Sequence, residues 1–227
     1  LKAIGKGSYL YSSNYIVTKD IDASASKKEM CNQDGCNGFI SIGLNADAAG
    51  NSEFTGSIDG KEHNIRDLRI WLPCVHKIGF ISVLKGTVSN LNFDGLSVLG
   101  GADDDHDPTS YYVGGLAGQA SHSTIANVHI TRAQVQGQSY VGGLVGEIDD
   151  GDHTDIRHSS YQGAIKGKRK VGGLVGYSSA LIFQSFADVE IYAYTESLDR
   201  SRYGEKIGGL VGESRGTLQE CHATGII

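Results

Sequence analysis

A six-residue glycine motif recurs four times, and it constrains the fold more than any other feature of this chain. The copies begin at Val113 (VGGLAG), Val141 (VGGLVG), Val171 (VGGLVG) and Ile207 (IGGLVG). Their first residues lie 28, 30 and 36 positions apart, as the residue numbers show. A period of roughly 20 to 50 residues is typical of stacked repeat proteins. The sequence therefore predicts stacked repeating units in place of a compact globule.

A second recurring pattern indicates strands that bend. It places a large apolar residue first, a polar residue third, and apolar or small residues fourth and sixth. Its copies begin at Ile65, Val88, Ile125, Ile156, Ile182 and Leu218. Along a straight strand, apolar and polar residues alternate every second position. A shift of this alternation by one residue is expected where the strand turns a corner. A third short strand, such as residues 134–136, completes each repeat.

Three strands per repeat, without any helical periodicity, predict an all-β, right-handed parallel β-helix. A β-propeller is the weaker alternative, because its blades need four strands and a longer period. Residues 1–75 are expected to form the N-terminal cap and first coils, and residues 76–227 the motif-bearing coils of one continuous β-helix. Equivalent residues of successive coils should then stack in inward files. One file contains Leu116, Leu144, Leu174 and Leu210.

The first residues of the second pattern should form another inward file, which includes Ile65. Its fourth residues should form a third file, which includes Leu68, Leu91 and Val128 and ends at Cys221. The thiol of Cys221 is therefore expected to be a small buried group. His222 follows it directly and should face away, because adjacent strand residues point to opposite sides.

Composition and charge exclude two classes of partner. The formal net charge is −6, and a nucleic-acid-binding surface needs concentrated Lys and Arg. No apolar run approaches the roughly 20 residues that a membrane span requires. The chain begins at Leu1 and ends within a repeat, so we expect it to be a piece of a larger parent protein with further domains.

Two cysteines near the N-terminus indicate an oxidising compartment. Cys31 and Cys36 are separated by Asn-Gln-Asp-Gly, which favours a turn that brings the two sulfurs together. A local disulfide is the leading interpretation, and it would place the protein outside the cytoplasm. Half of a zinc site is the alternative, with Cys74 and His76 as the remaining ligands. The redox states of Cys74 and Cys221 stay open.

Two acidic loops are candidates for binding calcium. One spans residues 103–107, and the other follows the second glycine motif. The second loop offers four carboxylates, from Asp149, Asp150, Asp152 and Asp155. Calcium takes six to eight oxygen ligands, but neither loop has the spacing of a known calcium motif. A solvated acidic loop is the competing interpretation, and no other cofactor is indicated.

A basic run and several tyrosines are expected to share one corner of the coil, because they lie just before successive glycine motifs. This candidate contact surface contains Tyr111, Tyr112, Tyr140, Lys168, Arg169, Lys170 and Tyr203. Tyrosine suits binding surfaces because it combines an apolar ring with a polar tip. The competing interpretation is that the basic run merely compensates the acidic loop of residues 103–107.

The glycine motif resembles the GLUG motif of large bacterial surface and secreted proteins. The segments 15–22 (YIVTKDID), 54–60 (FTGSIDG) and 63–68 (HNIRDL) are similar to the sequence that commonly precedes GLUG repeats. The resemblance covers nearly the whole chain from about residue 10. It implies an adhesin-like module that is secreted or displayed on a cell surface. It transfers no catalytic residues, because the motif contains none.

The expected function is non-catalytic: a binding, adhesion or stalk module that contacts a host or environmental glycan or protein through the coil corners. Two alternatives remain. One is an accessory β-helix domain of a secreted protease, and the other is a carbohydrate-active β-helix enzyme, either a lyase or a hydrolase. The chain contains no zinc-protease motif or phosphate loop, and its acidic clusters lie in loops of variable length.

Overall fold

A computed structural model of the protein describes residues 4, 11–27, 39–44, 52–72, 75–100, 112–149, 153–193 and 206–227. A 3-10 helix lies at Ser24–Lys27. Within these ranges no helix has the length and apolarity needed to cross a membrane. The strands, in chain order, are β1 (Asn14–Ile16), β2 (Ile21–Asp22), β3 (Glu53–Phe54), β4 (Ser57–Asp59), β5 (Asn64–Arg66), β6 (Arg69–Leu72), β7 (Lys77–Ile78), β8 (Ile81–Leu84), β9 (Thr87–Asp94), β10 (Ser97–Gly100), β11 (Tyr112–Gly114), β12 (Ala117–Ala120), β13 (Thr124–Gln136), β14 (Ser139–Gly142), β15 (Val145–Ile148), β16 (Asp155–Arg157), β17 (Ser160–Gly167), β18 (Arg169–Gly172), β19 (Val175–Ser178), β20 (Leu181–Phe183), β21 (Phe186–Ala193), β22 (Ile207–Gly208), β23 (Val211–Ser214), β24 (Thr217–Gln219) and β25 (His222–Ile226).

These strands form three sheets in which neighbouring strands are parallel. The entry sheet carries the start of each glycine motif and has the order β22-β18-β14-β11-β7. The exit sheet follows the motif and has the order β23-β19-β15-β12-β8-β3. The remaining 14 strands form the bent sheet, whose main path is β1-β4-β9-β13-β16-β20-β24.

One turn of the coil corresponds to one sequence repeat. Val113 pairs with Val141, Val141 with Val171, and Val171 with Ile207. The first residues of all four motifs therefore lie side by side. This register, repeated in all three sheets, confirms the predicted parallel β-helix.

The leucine of the glycine motif forms the predicted inward file. Leu116, Leu144 and Leu174 are fully buried, and Leu210 is partly buried in the last described coil. Each of the first three donates its backbone N–H to the carbonyl of the next. In the coil before the first motif, Phe80 occupies the same level, because Ile78 pairs with Val113 and Ile81 with Ala117. Fully removing such side chains from water stabilises the fold by about 1.5–3 kcal/mol each.

The second inward file differs from the prediction at its N-terminal end. Ile58, not Ile65, pairs with Val88. Ile65 instead pairs with Phe93, which lies one corner further along the coil. The reason is a longer turn in the earlier coil. Four residues, 60–63, separate β4 from β5, whereas only two residues lie between Ser89 and Asn92 at the corresponding corner of the next coil. The placement of Leu68 beside Leu91 was wrong for the same reason: the backbone carbonyl of Leu68 accepts the Ser97 N–H, so Leu68 lies at the level of Leu96.

The polar position of the second pattern turns a corner, as predicted. Left-handed backbone conformations occur at Asn90, Asn127, His158, Gln184 and Glu220, with φ between 45° and 59°. Such angles are uncommon outside glycine, and asparagine is among the residues that adopt them most readily. The side chains also bond between coils. The Asn127 amide donates to the Asn90 oxygen at 3.1 Å, and the Gln184 amide donates to Glu220 at 2.5 Å.

The glycines of the motif allow backbones to approach one another closely. A Cβ on Gly142 would lie 2.1 Å from the Val145 carbonyl oxygen, and one on Gly143 would lie 2.2 Å from the ring of Tyr161. A Cβ on Gly146 would lie 2.6 Å from the Val113 nitrogen in the preceding coil. The entry and exit sheets therefore meet backbone to backbone at this corner.

Cys221 ends the file of Leu91, Val128, Ser159 and Ser185. It is partly exposed, in contrast to the fully buried thiol that we expected, because it lies in the last described coil. Its thiol is free and donates to the Ile182 carbonyl at 3.4 Å. His222 faces outward and stacks on Phe186, with ring centroids 5.2 Å apart.

A candidate binding surface at the glycine corner

Two rows of outward side chains flank the glycine motif. The entry row holds the residue before each of the four motifs, together with Lys77, which pairs with the first of them: Lys77, Tyr112, Tyr140, Lys170 and Lys206. The exit row holds the residue after each of the four motifs, together with Val83, which pairs with the first of them: Val83, Gln119, Glu147, Tyr177 and Glu213. We call the two rows together the corner ridge. Successive members of a row lie one coil apart, about 4.8 Å along the coil axis.

The motif glycines bring the two rows into contact. A Cβ on Gly176 would lie 2.6 Å from the carbonyl carbon of Tyr140, so the exit strand rests directly on the entry strand of the coil before it. Tyr140 and Lys170 adopt left-handed backbone conformations, with φ of 52° and 49°. An entry-row side chain therefore meets the exit-row side chain of the next coil.

Aromatic rings and an ammonium group pack together along the ridge. The rings of Tyr112 and Tyr140 are 5.0 Å apart, and those of Tyr140 and Tyr177 are 6.2 Å apart. The Lys170 ammonium lies 4.3 Å from the centroid of Tyr140 and 4.4 Å from that of Tyr177. It also donates to the Tyr140 hydroxyl at 3.1 Å. A cation over a ring face is attracted by about 0.5–2 kcal/mol, depending on how much water is excluded.

Glu213 is held at this cluster by two lysines. Lys206 lies 2.6 Å from one carboxylate oxygen, and Lys170 lies 3.1 Å from the other. These two lysines hold the pKa of Glu213 below its ordinary value, with the hydrogen bond from Lys206 as the larger cause. Burial opposes the charge on Lys170, but its hydrogen bonds to Tyr140 and Glu213 raise the pKa of the ammonium.

Glu147 lies two coils earlier in the same row, and its surroundings differ. Its half-buried carboxylate accepts a hydrogen bond from the Gln119 amide at 2.9 Å. Among the residues that the structure describes, it has no ion-pair partner. Burial raises the pKa of Glu147, and the nearby Asp149 carboxylate raises it further. Lys170 and Lys77 oppose this effect only from a distance.

The structure brings together only part of the predicted contact surface. Tyr112, Tyr140 and Lys170 share the ridge. Lys168 and Arg169 precede Lys170 on the chain and bond to the neighbouring coil. The Lys168 backbone N–H donates to the Gln138 carbonyl at 2.8 Å, and the Arg169 guanidinium donates to the Ser139 hydroxyl at 3.2 Å. Tyr111 and Tyr203 lie outside the described residues.

The predicted calcium ligands are only partly visible. Asp155 forms an ion pair with Arg157 at 2.6 Å, and the Asp149 backbone carbonyl accepts a hydrogen bond from the Ser179 hydroxyl. Within the described ranges, no three His, Cys, Asp or Glu side chains are grouped closely enough to hold a metal ion. The sites of Asp150 and Asp152, the loop 103–107 and the cysteines Cys31, Cys36 and Cys74 lie outside the described residues. Calcium binding and the disulfide therefore stay predictions.

Sequence reasoning missed the exit-row partners Gln119, Tyr177 and Glu213, and also Lys206. A signal for them exists. The residue that follows each motif must lie beside the residue that precedes it, because the glycines fold the chain back on itself. Reading those two columns of the repeat together would have identified the residues of the ridge, but not which coils their contacts join.

No protein-family model matches the chain. Halomucin from Haloquadratum walsbyi is 37% identical over 152 residues, which is 66% of this chain. The chain spans about 2% of the length of halomucin. A solved structure from Bacteroides ovatus, provisionally described as an immunoglobulin A1 protease, shares 16% identity at a TM-score of 0.45. That alignment covers 99% of this chain and 80% of the Bacteroides chain.

Proposed function

We propose that this chain is a non-catalytic β-helical binding and stalk module of a secreted or cell-surface protein. Its ligand is a glycan or a protein, and the corner ridge is the surface that contacts it. The observation that carries this proposal is the continuous row of tyrosine rings and charged groups from Tyr112 to Glu213. This row runs along the coil axis on one corner.

Four observations support the proposal. Tyr112 and Tyr140 are partly exposed, so a ligand can reach them. Tyrosine and charged groups together offer apolar contact and directional hydrogen bonds, which is the composition that binding surfaces favour. The stacked coils form one buried core, which suits a rigid stalk. The likeness to halomucin, a mucin by name, supports a location outside the cell.

Binding to an array of glycans and purified surface glycoproteins tests the proposal. We expect at least one class to bind saturably, and Tyr112→Ala or Tyr140→Ala to weaken that binding about tenfold or more, as is usual for a central aromatic contact. Tyr192→Ala is the matched control. This tyrosine is 57% exposed and lies on the bent sheet, away from the ridge. The control should bind like the unaltered chain.

Two results would contradict the proposal. One is ligand binding that both ridge substitutions leave unchanged. The other is the release of sugar products during incubation with acidic polysaccharides, which would favour the carbohydrate-active enzyme. The accessory-domain alternative makes a different prediction: exchanging the ridge residues in the parent protein would lower the activity of a neighbouring protease domain.

A further inference from the structure

The corner ridge contains two glutamates at equivalent positions, and only Glu213 has a cationic partner among the residues that the structure describes. Glu147 and Glu213 belong to the exit row and are separated by two coils, or about 10 Å. Each carboxylate therefore meets the same two neighbours: the entry-row residue of its own coil and the entry-row residue of the coil before. The difference between the two sites lies in those neighbours.

At Glu213 both neighbouring positions are lysines. Lys206 comes from the same coil and Lys170 from the coil before, and both lie within ion-pairing distance of the carboxylate. The ammonium of Lys170 is additionally covered by the rings of Tyr140 and Tyr177. The molecule thus shows how this corner binds an ammonium group: one carboxylate together with aromatic rings.

At Glu147 the two corresponding positions are tyrosines. Tyr140 stands where Lys206 stands, and Tyr112 stands where Lys170 stands. Their rings are 5.0 Å apart. The carboxylate is half-buried and receives one hydrogen bond, from the Gln119 amide, and no cation pairs with it among the described residues.

A half-buried carboxylate without a counter-charge is unfavourable, because burial removes water without replacing it. Tyrosine ring faces attract cations, and the attraction grows as water is excluded. A carboxylate beside two such rings is therefore complementary to an ammonium group. The nearby Asp149 carboxylate adds to the negative potential, and the charges of Lys77 and Lys170 act on Glu147 only from a distance.

We propose that Glu147, Tyr112 and Tyr140 form a binding site for the ammonium group of a lysine side chain on a protein partner. Lysine is favoured over other amines because the equivalent site at Glu213 is filled by the lysine side chain of Lys170. This inference rests on the proposed function, and it narrows the ligand of the ridge to a protein segment that presents a lysine.

The test uses the whole 227-residue chain and Nα-acetyl-lysine-N-methylamide as the probe, followed by NMR. We expect saturable shifts of the signals of Tyr112 and Tyr140, and no saturable shifts with the Nε-acetylated form of the probe. Glu147→Gln should weaken binding about tenfold or more, which is the range for a charge-assisted contact. Glu213→Gln is the matched control, because it removes the carboxylate whose lysines are already present.

A second variant supplies the missing cation within the chain. Tyr112→Lys places a lysine toward Glu147 as Lys170 lies toward Glu213, so this variant should remain folded and lose probe binding. Glucosamine oligomers form a separate arm that distinguishes an amino sugar from a lysine side chain.

The inference is overturned if the unaltered chain shows no saturable probe binding, if Glu213→Gln weakens binding as much as Glu147→Gln, or if glucosamine oligomers bind and the lysine probe does not. A glycan or protein whose binding depends on Tyr140 but not on Glu147 would overturn the lysine site and leave the proposed function intact. The lysine site and the proposed function would both be contradicted if no tested ligand depended on any residue of the corner ridge.

Discussion

Gly143→Ala should destabilise the fold far more than a glycine-to-alanine substitution normally does. Its Cβ would lie 2.2 Å from Cγ of Tyr161 and 2.3 Å from the carbonyl oxygen of Gly173. Neither neighbour can retreat easily. Tyr161 is fully buried and its hydroxyl donates to the Ala164 carbonyl at 2.8 Å, while the Gly173 oxygen accepts the Gly143 N–H in the ladder between coils.

The cost can be estimated from these contacts. Overpacking a core costs about 1–3 kcal/mol. Moving the Gly173 carbonyl also weakens a ladder hydrogen bond, which is worth about 1 kcal/mol. A total of about 3 kcal/mol is a large share of the 5–15 kcal/mol that stabilises a typical protein. For a chain of this size, it lowers the melting temperature by about 6–12 °C.

The same substitution in the last motif, at Gly209, is the control. A Cβ on Gly209 would meet only side chains, with the Ala223 methyl at 3.0 Å and the Ile227 methyl at 3.9 Å. These side chains lie in the last described coil, where they have room to move, so Gly209→Ala should cost less than about 1 kcal/mol. Urea unfolding of both variants measures the difference. Equal losses of stability would refute the close approach of coils at the glycine motif.

Three further results follow from the structure. Asn127 has φ of 59°, a left-handed conformation that strains alanine but not glycine. In urea unfolding, Asn127→Gly should therefore be less destabilising than Asn127→Ala by about 1 kcal/mol. Equal losses of stability would mean that the backbone conformation does not matter there. Burial raises the pKa of Glu147, and the two lysines lower that of Glu213. As pH rises from 4 to 7, Glu147→Gln should therefore gain stability relative to the unaltered chain, and Glu213→Gln should lose it. Melting curves at both pH values measure this, and a change in the same direction for both substitutions would contradict the assignment. If the loop of Asp149 to Asp155 binds calcium, a concentration of about 100 times Kd should add about 2.7 kcal/mol and raise the melting temperature, and an unchanged melting temperature would count against the site.

The sequence was most informative where one repeat position has one structural role. Leu144 follows the paired glycines at a fixed offset in each coil, so its inward file could be predicted from the spacing alone. The corner at Asn127 was predictable for a similar reason, because one polar residue interrupts the apolar alternation at that point. Both predictions rest on local periodicity, which the chain repeats faithfully.

The misplaced residues show where local pattern stops being sufficient. Ile65-Arg-Asp67-Leu68 matches the second pattern, but it lies at the next corner of the coil. That corner also places one left-handed residue between apolar positions: Asp67 has φ of 57°, and Gly95 at the same corner has φ of 76°. Two corners with the same local requirement have similar sequences. Only the length of the preceding turn, at residues 60–63, distinguishes them.

The corner ridge was only half predictable because its contacts join two coils. The basic run and the tyrosines before each motif were visible as a column of the repeat. Tyr177 and Glu213 belong to a second column, and their contacts with Lys170 depend on how far the exit strand of one coil lies above the entry strand of the coil before. The motif glycines set that offset, and it has no signature in residue spacing.

A carbon-detected NMR titration of the side-chain carboxyls of Glu147 and Glu213 tests the difference between the two sites most directly. An ordinary glutamate titrates near pH 4.3. We expect Glu147 to titrate above that value, because its carboxylate is half-buried and no cation pairs with it in the described part of the chain. We expect Glu213 to titrate below it, because two lysines hold it. Equal pKa values, or the reverse order, would contradict the existence of an uncompensated carboxylate on the corner ridge.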